Sequence, residues 1–348
     1  MTPVRFCIFG SGRMAGRMAE AMASSPACAP VAVVSTDQGR RERFAARHRV
    51  TGFASFEEAL SGGDVDAVYV ASANPRHVAD ATAAIEAGRP TLVEKPLAPN
   101  AAEAEALFAA AAARNVLVME ALWTLFLPAW RGFIDAAKSG ALGTPRHLMA
   151  SFGHVTRRND FPRFFDGDGV IGDRLIYPVA LAVAAFGNAR VTSAGVDRDA
   201  DGAPTHAALT LRHETGGVSQ LAASFDVECE NGASLACGDG AARLGRSIIG
   251  AEFLEEERRA LQRPGDDADE PGTKEKLLTA IKAKPAARRA QAALGSRARF
   301  LSYGADQYHP MLAHFADLAR SGATESSVAS PSFSLAVRRL LDATLEGR

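Results

Sequence analysis

Residues 4–15, which read VRFCIFGSGRMA, decide the fold of the first part of the chain. The apolar run at 4–9 predicts a buried strand, and apolar residues at helical spacing follow the loop. Gly10, Gly12 and Ala15 satisfy the pattern G-x-G-x-x-G/A, whose glycines permit a tight turn and a close approach to a pyrophosphate. The sequence therefore predicts a dinucleotide-binding loop. The residues expected to contact the dinucleotide here are Gly10, Ser11, Gly12, Arg13, Met14 and Ala15.

Strands and helices alternate through the first 122 residues. Further short apolar runs that predict strands lie at 31–34, 65–71, 91–93 and 116–119. Helical patterns separate these runs, and such alternation favours a parallel sheet with right-handed crossovers. We therefore expect an α/β Rossmann domain at 1–122, built on a doubly wound parallel sheet.

The pattern changes after residue 122. Predicted strands now follow one another at 146–152, 190–196, 207–212 and 218–225. Only one helix, at 169–186, is predicted among them, and successive strands favour antiparallel pairing. We expect an α+β domain at 123–348 with a mostly antiparallel, open sheet that serves substrate binding and oligomerisation.

The segment near 255–299 differs from its surroundings. Residues 265–272 are acidic and rich in turn formers, and residues 274–299 are basic with helical propensity. An exposed loop followed by a solvated helix explains this composition. A lid over the site or a contact with a partner is the alternative.

Composition excludes several classes of protein. The 348 residues carry 39 basic and 40 acidic side chains, and this balance argues against a nucleic-acid partner. Apolar runs stay below the length of a membrane span, and the first residues do not resemble a signal peptide, so we expect a cytoplasmic protein. The four cysteines do not form a disulfide framework, and neither metal-ligand spacing nor a G-x-S-x-G motif is found.

The end of the second predicted strand bears on the choice between NAD and NADP. Ser35 and Thr36 stand where an NAD site usually has an acidic residue, and Asp37 and Arg40 follow. Hydroxyls and a guanidinium suit a 2′-phosphate better than a bare ribose, which favours NADP. Asp37 could still reach the ribose, which would favour NAD.

Glu94-Lys95-Pro96 directly follows the predicted strand at 91–93. Open α/β sheets bind their ligands at the carboxyl ends of the strands, so this charged turn is a candidate site. Lys95 is also the only lysine in the first 137 residues, although arginine is used freely there.

Together with the glycine loop, Asn74-Pro75-Arg76-His77 and Glu94-Lys95-Pro96 resemble the motifs of the Gfo/Idh/MocA oxidoreductases. Met119-Glu120-Ala121-Leu122-Trp123 is similar to the dihydrodiol dehydrogenase branch of that family, in which Leu125 would be an arginine. The resemblance implies further cofactor contacts at Ala71, Ser72, Asn74, His77, Glu94 and Lys95. His77 alternatively serves only to start a helix.

The family also carries an aspartate followed four residues later by tyrosine or histidine on a helix of the second domain. Asp173 and Tyr177 match this pattern, and the spacing puts both side chains on one helix face. Arg174 departs from it, because a small or apolar residue is usual there. By the same resemblance Trp123 lines the substrate site, although a plain core position is the alternative.

The residue types suggest how a proton would be handled. A free tyrosine has a pKa near 10, and a nearby lysine ammonium would lower it. We therefore expect Lys95 to lower the pKa of Tyr177 and to bind the substrate oxygen, with Asp173 orienting one of the two. Arg157 follows a predicted strand and could reach an anionic substrate, or it could lie in a solvated loop.

These expectations combine into an NAD(P)-dependent oxidoreductase that moves a hydride to or from a hydroxyl or carbonyl carbon of a sugar, polyol or cyclic diol. The chain is expected to form a homodimer or homotetramer. One alternative is a glycosidase-like enzyme that holds NAD tightly and causes no net redox change. The other is a non-catalytic NAD(P)-binding sensor or scaffold.

Overall fold

The computed structural model describes residues 2–62, 64–245, 247–258 and 296–347. Within them the chain forms two sheets with helices packed against both. The strands of the first sheet are β1 (Val4–Phe9), β2 (Cys28–Val34), β3 (Thr51–Phe53), β4 (Ala67–Val70), β5 (Thr91–Val93) and β6 (Val118–Glu120). The helices between them are α1 (Arg13–Ser24), α2 (Gln38–His48), α3 (Phe56–Gly62), α4 (His77–Glu86) and α5 (Ala101–Ala113).

The first sheet has the strand order β3-β2-β1-β4-β5-β6 in the described residues, and all of its pairs are parallel. The predicted doubly wound Rossmann architecture is therefore confirmed. The strand order reverses between β1 and β4, and in such sheets a crevice opens at this point beyond the carboxyl ends of the strands. Gly10, Ala71 and Glu94 each directly follow a strand and so lie at this edge.

The second sheet has the order β14-β13-β12-β11-β7-β10-β9-β8 within the described residues. Its pairs are antiparallel except for β7 with β10, which are parallel, so the predicted mostly antiparallel sheet is confirmed. The strands are β7 (Pro145–Gly153), β8 (Ala189–Arg198), β9 (Pro204–His213), β10 (Val218–Ser224), β11 (Ala233–Cys237), β12 (Gly240–Leu244), β13 (Phe253–Arg258) and β14 (Ser296–Phe300).

The helices of the later part of the chain are α6 (Pro128–Lys138), α7 (Ile176–Phe186), α8 (His309–Ser321) and α9 (Pro331–Leu345). Every residue of α7 is buried, because the helix is apolar all round and is covered on its different sides by α6, α9 and β7. The helix predicted at 169–186 exists, but it starts as a wider, π-helical turn at Ile171–Leu175.

The last two helices return to the first sheet. Phe315 of α8 packs on Phe6 of β1, with ring centres 5.6 Å apart. At the start of α5 the amide of Ala101 donates to Asp342 of α9 at 2.8 Å. The buried Arg338 of α9 reaches Asp168, which precedes the π-helical turn. These helices therefore fasten the two sheets to each other.

The expected loop and helix at 255–299 are wrong at both ends. Residues 255–258 belong to β13 and residues 296–299 to β14, and these two strands pair with each other. Pairing explains this result, because β13 pairs with β12 and with β14 while its glutamates stay partly exposed. Residues 259–295, which hold most of that segment, lie outside the described residues. None of the helices in the described ranges is long and apolar enough to cross a membrane.

Candidate active site

The glycine loop joins β1 to α1 as predicted. Gly10 has a φ of +104°, and an added Cβ would lie 2.5 Å from the carbonyl oxygen of Ala71. At Gly12 an added Cβ would meet no atom of the described residues within 4 Å. The two glycines therefore differ: Gly10 is required by the fold, whereas Gly12 leaves open space above the loop.

Several groups around this space are free to bind an anion. Helix α1 begins after Gly12 without a side-chain cap in the described part of the chain, and its first turn carries no acidic residue. Its first amides and the positive end of its dipole thus remain available. The hydroxyl oxygen of Ser72 is buried and has no hydrogen-bond partner among the described residues. This open cradle with unused donors fits a dinucleotide pyrophosphate.

The residues that follow β2 lie next to Ser11 of the glycine loop. The hydroxyl oxygens of Ser11 and Ser35 lie 3.1 Å apart. Asp37 caps α2, because its carboxylate accepts the amide of Arg40 at 2.8 Å. That bond and the guanidinium groups of Arg40 and Arg43 lower the pKa of Asp37. Asp37 is thus engaged as a helix cap, while Thr36 is exposed.

A cleft of about 700 Å³ runs from this loop between α1 and α2. Five arginines line it: Arg13, Arg17, Arg40, Arg43 and Arg47. Arg17 pairs with Asp306 at 2.7 Å, and Arg47 pairs with Glu20 at 2.9 Å. The cleft is therefore strongly cationic at the end nearest Ser11. Arg43 was not predicted from the sequence, although its i+3 spacing from Arg40 on α2 was a signal that could have indicated it.

His77 joins the loops that follow β4 and β5. It begins α4 and is 1% exposed, with Nδ1 2.9 Å from the carbonyl oxygen of Pro96 and Nε2 3.2 Å from that of Ser72. Burial lowers its pKa. Asn74 lies in an exposed turn before it. His77 thus connects the two loops at the edge of the crevice. Its predicted contact with a cofactor stays a prediction.

Two buried carboxyl groups lie beneath the Glu94-Lys95-Pro96 turn. Tyr69 donates its hydroxyl to Glu94 at 2.5 Å, and Glu120 accepts the amide of Leu97 at 2.9 Å. Burial raises the pKa of both Glu94 and Glu120. Their bonds fix the turn on strands β4 and β6, so that Lys95 projects from a rigid support.

Lys95 reaches across to the second sheet. Its Nζ donates to the carboxylate of Asp173 at 2.8 Å and to the main-chain carbonyl of the same residue at 2.7 Å. Burial lowers the pKa of Lys95, but the charge and the hydrogen bonds of Asp173 oppose this effect, and the pKa lies above its usual value. The ammonium is therefore charged at neutral pH. The predicted trio of Lys95, Asp173 and Tyr177 does lie together.

Tyr177 is 6% exposed, and its ring lies beneath the Lys95 ammonium, 5.2 Å from Nζ to the ring centre. The expectation that Lys95 brings the pKa of Tyr177 below its usual value is wrong. Burial raises that pKa to about 12, and the opposing effect of Lys95 is smaller. The tyrosine hydroxyl consequently keeps its proton at neutral pH.

Aromatic rings surround Tyr177. Trp123 lies edge-on to it at 6.3 Å between ring centres, and Phe152 does so at 5.9 Å. Tyr308 packs on the far side of Trp123 at 5.0 Å. The sequence predicted only Trp123 of these three, because Phe152 and Tyr308 come from distant segments that no local pattern connects. Trp123 itself is 4% exposed, so most of its ring serves packing.

The segment after β7 carries Arg157, which is exposed and lies at the start of a turn. Its predicted contact with substrate stays a prediction. A little further on, Phe161 and Phe164 stack on each other, and the guanidinium of Arg13 lies 5.3–5.6 Å from their ring centres. This part of the second domain therefore contacts the glycine loop of the first. In the described residues no group of three or more His, Cys, Asp or Glu is arranged to hold a metal ion.

Comparison with protein-family models gives two matches. The model described as the oxidoreductase family with an NAD-binding Rossmann fold, GFO/IDH/MocA, matches residues 4–122. The model of the GFO/IDH/MocA C-terminal domain matches residues 132–243. Both sheets are thus represented in the two matches.

Similar curated proteins include trans-1,2-dihydrobenzene-1,2-diol dehydrogenases. The protein from Bos taurus is 31% identical over 221 residues, which are 62% of this chain and 65% of the relative. The protein from Homo sapiens is 32% identical over 191 residues, 53% of each chain. The chain therefore spans between about half and two thirds of the length of these relatives.

Solved structures share the fold over nearly the whole chain. The 3-ketoreductase KijD10 from Actinomadura kijaniata, solved with NADP and TDP-benzene, has a TM-score of 0.79 at 23% identity and covers 99% of this chain and 98% of its own. An oxidoreductase from Agrobacterium radiobacter, solved with NAD⁺, L-tartaric acid and magnesium, has a TM-score of 0.79 at 18% identity, with 99% and 96% covered.

Proposed function

Since the chain belongs to the GFO/IDH/MocA family of oxidoreductases, we propose that it transfers a hydride between NAD(P) and a hydroxyl or carbonyl carbon of a sugar, polyol or cyclic diol. One observation carries the proposal. Lys95, which follows β5 of the first sheet, meets Asp173 of the π-helical turn before α7 at 2.8 Å, beside Tyr177 and on the same sheet edge as the glycine loop. A charged proton donor and a protonated phenol thus lie where this fold binds its ligands.

The residues that would hold the dinucleotide follow from the geometry of the loop. The free amides at the start of α1 and the space above Gly12 suit the pyrophosphate, and the unpartnered Ser72 hydroxyl offers one more hydrogen bond. When bound, NAD(P) supplies or accepts the hydride at the carbon that bears the reacting oxygen.

Lys95 and Tyr177 handle the proton. In the direction of reduction, the carbonyl carbon gains the hydride and the carbonyl oxygen gains the proton of the Tyr177 hydroxyl. The Lys95 ammonium donates a hydrogen bond to that oxygen and stabilises the tyrosinate left behind. A tyrosine whose pKa is about 12 suits this direction, because it holds a proton to give. Acid catalysis of this kind is worth on the order of 100- to 10,000-fold in rate.

The substrate class follows from the rings around Tyr177. Trp123, Phe152 and Tyr308 are each buried and form an apolar wall behind Tyr177, which suits a site for a sugar or carbocyclic ring. The curated relatives are named for a cyclic diol, and KijD10 is named as a 3-ketoreductase. We therefore place substituted six-membered rings with a secondary alcohol or ketone first among candidate substrates.

We propose that NADP is preferred over NAD. Asp37 accepts the amide of Arg40 as the cap of α2 and lies 3.6 Å from the Arg40 guanidinium, so part of its hydrogen-bonding capacity and charge is already taken up. Arg40 and Arg43 line the cationic cleft next to Ser11 and Ser35, where a 2′-phosphate would meet guanidinium groups and hydroxyls.

The assembly and the cellular location are also proposals. Met149, Phe253 and Phe300 are each about half exposed or more on strands of the second sheet, which supports pairing of two copies through that sheet. Size-exclusion chromatography with light scattering tests a homodimer or homotetramer. Free cysteines, of which Cys7 and Cys28 are buried, suit the cytoplasm. The division into domains at 1–122 and 123–348 stays a prediction.

Binding and turnover of the wild type and of Lys95→Ala test the function. We would titrate NADP, NADPH, NAD and NADH by fluorescence, and assay cyclic diols, polyols, aldoses and ketoses by the absorbance of the reduced cofactor. We expect dinucleotide binding by both proteins and turnover that falls at least about 100-fold in Lys95→Ala. Lys138→Ala, which changes an exposed lysine of α6, is the control.

Other outcomes select the alternatives. Tightly bound NAD that co-purifies and is not consumed while a glycoside is cleaved would identify the non-redox enzyme. Binding without any conversion would indicate a sensor. Absence of dinucleotide binding would overturn the whole proposal.

A further inference from the structure

Arg174 is a buried arginine in the turn that carries Asp173. It is 6% exposed, and its guanidinium donates to the carbonyl oxygen of His154 at 2.5 Å, to the carbonyl oxygen of Ser224 and to the hydroxyl of Thr156. The three hydrogen bonds from one side chain make use of the planar arrangement of the guanidinium N–H groups. A lysine, whose charge is a single point, would not reach them all.

The three acceptors belong to two neighbouring strand ends. Ser224 is the last residue of β10 and is paired with Gly153, the last residue of β7, and His154 and Thr156 follow directly. Arg174 therefore attaches the π-helical turn to the ends of both strands by hydrogen bonds. The rings of Phe225, at 4.5 Å, and Phe152, at 5.6 Å, enclose its charge.

This attachment bears directly on Lys95. Both groups that hold the Lys95 ammonium, the carboxylate and the carbonyl oxygen, belong to Asp173, which precedes Arg174 in the chain. The Nε of Arg174 also lies 3.8 Å from the second carboxylate oxygen of Asp173. Phe152 contacts both the guanidinium of Arg174 and the ring of Tyr177. One side chain thus determines where the turn presents Asp173.

We propose that Arg174 is a positioning residue, which fixes Asp173 so that its carboxylate and carbonyl oxygen orient the Lys95 ammonium. The role of Lys95 as a proton donor rests on the proposed function, but the effect of Arg174 on Lys95 can be measured without a substrate. If Arg174 merely stabilised the strand ends, its loss would lower stability and leave Lys95 unchanged.

The reactivity of Lys95 toward an amine-acylating ester separates these two roles. The N-hydroxysuccinimide ester of acetic acid reacts with the neutral amine, so an ammonium held by Asp173 is labelled slowly. Peptide mass spectrometry gives the rate at Lys95, and the exposed Lys138 of the same molecule provides the reference rate. The pH dependence of labelling gives the apparent pKa of Lys95.

The variants are Arg174→Gln, Arg174→Lys, Asp173→Ala and the double change Asp173→Ala with Arg174→Gln. Arg320→Gln is the matched control, because Arg320 also donates to main-chain carbonyls, those of Thr2 and Ala27, at the opposite edge of the first sheet. Thermal unfolding confirms that each variant is folded before it is labelled. Arg174→Lys keeps the buried stem and a charge. It replaces Arg174→Gln in the labelling experiment if Arg174→Gln does not fold.

We expect Arg174→Gln to raise the labelling rate of Lys95 about tenfold, which corresponds to a fall of about one unit in its apparent pKa. Arg174→Lys should raise it less, and Arg320→Gln should not change it. Because the effect passes through Asp173, the double variant should be labelled about as fast as the faster single variant. Unchanged labelling in folded Arg174→Gln and Arg174→Lys, or effects that simply multiply in the double variant, would overturn the proposal.

The outcome is independent of the proposed function. Faster labelling in an enzyme that turns over none of the assayed substrates would support the role of Arg174 and count against the oxidoreductase. If turnover depended on Lys95 but labelling were unaffected by Arg174, the oxidoreductase would be supported and the role of Arg174 would be rejected. Where turnover is found, loss of kcat in Arg174→Gln with an unchanged dinucleotide Kd is the expected result.

Discussion

The ammonium nitrogen of Lys95 lies 5.2 Å from the centre of the Tyr177 ring. Lys95 follows β5 of the first sheet and Tyr177 lies on helix α7, and Asp173 holds the ammonium in place through two contacts. Both groups keep their protons at neutral pH, because Asp173 stabilises the charged lysine and burial stabilises the neutral tyrosine. We therefore propose the direction of carbonyl reduction, in which both groups begin with their protons in place.

Tyr177→Phe should remove the proton donor and leave the packing intact. We expect kcat for carbonyl reduction to fall on the order of 100- to 10,000-fold, while the dinucleotide Kd stays within about twofold. Steady-state kinetics and fluorescence titration measure the two quantities. If Tyr177→Phe retained full kcat, the proton would have to come from Lys95 alone.

The raised pKa of Tyr177 also predicts how stability depends on pH. An unfolded tyrosine ionises near pH 10, whereas this one has a pKa of about 12 in the folded state. Its contribution to stability is fully present below pH 10 and is lost as the pH rises toward 12. The free energy of unfolding of the wild type should therefore fall relative to that of Tyr177→Phe between pH 10 and 12. Urea unfolding of both proteins at pH 9 and 11 tests this, and a constant difference would contradict it.

Gly12→Val should lose dinucleotide affinity, whereas Gly10→Ala should lose stability. A side chain at position 12 enters open space, so we expect a normal Tm and a dinucleotide affinity lowered about 100-fold, or about 2.7 kcal/mol. A Cβ at position 10 meets the Ala71 carbonyl at 2.5 Å on a backbone with φ of +104°, so that variant should lose stability by about 2–4 kcal/mol. Calorimetry and titration of both variants check this. Equal loss of stability in both would show that the space above Gly12 is part of the packed core.

The double change Arg40→Ala and Arg43→Ala should weaken NADP binding about 10- to 100-fold and leave NAD binding nearly unchanged. The reason is that these guanidinium groups face the cleft next to Ser11, where only NADP adds a phosphate. Titration with both cofactors at one fixed salt concentration gives the ratio of affinities. Arg47→Ala, which removes a partner of Glu20 in the same cleft, is the control. An equal loss for NAD and NADP would reject a role in discrimination.

Glu120→Gln should stabilise the protein at pH 7. Glu120 is 4% exposed and burial raises its pKa, so the folded state bears the cost of a buried charge at neutral pH. Glutamine keeps an oxygen that accepts the amide of Leu97. We expect a gain on the order of 1 kcal/mol at pH 7 that shrinks as the pH falls through about 4.5 and disappears near about pH 3, where the carboxyl is protonated in both states. Chemical unfolding at the two pH values tests the sign. A loss of stability at pH 7 would mean that Glu120 is held as a favourable ion.

Five of the six strands of the first sheet could be predicted from the sequence, whereas β3 (Thr51–Phe53) and half of the second sheet could not. Parallel strands buried on both faces appear as short apolar runs, so β1 was predicted at its observed bounds. Strands β11 and β12 read ASLAC and GAARL, and their small residues give little strand propensity. Strand β13 reads FLEEER, and its run of glutamates indicates a loop until the pairing with β12 is known.

The site was partly predictable for a similar reason. Lys95 follows from one short local motif, and Asp173 and Tyr177 follow from another, in which they lie four residues apart. The protonation of Tyr177 depends on burial by other segments, which the sequence does not give. The acceptors of Arg174 lie 18, 20 and 50 residues away, so no local pattern reveals that its charge is buried.

The packing of Phe315 against Phe6 links the order of synthesis to the order of folding. The ribosome makes α8 about 300 residues after β1, so this contact forms only once α8 has been made. Until then one flank of the first sheet stays uncovered, and a binding partner such as a chaperone has an apolar surface to occupy. Nascent chains stalled before residue 309 should therefore be more sensitive to protease at the first sheet than chains stalled after α9.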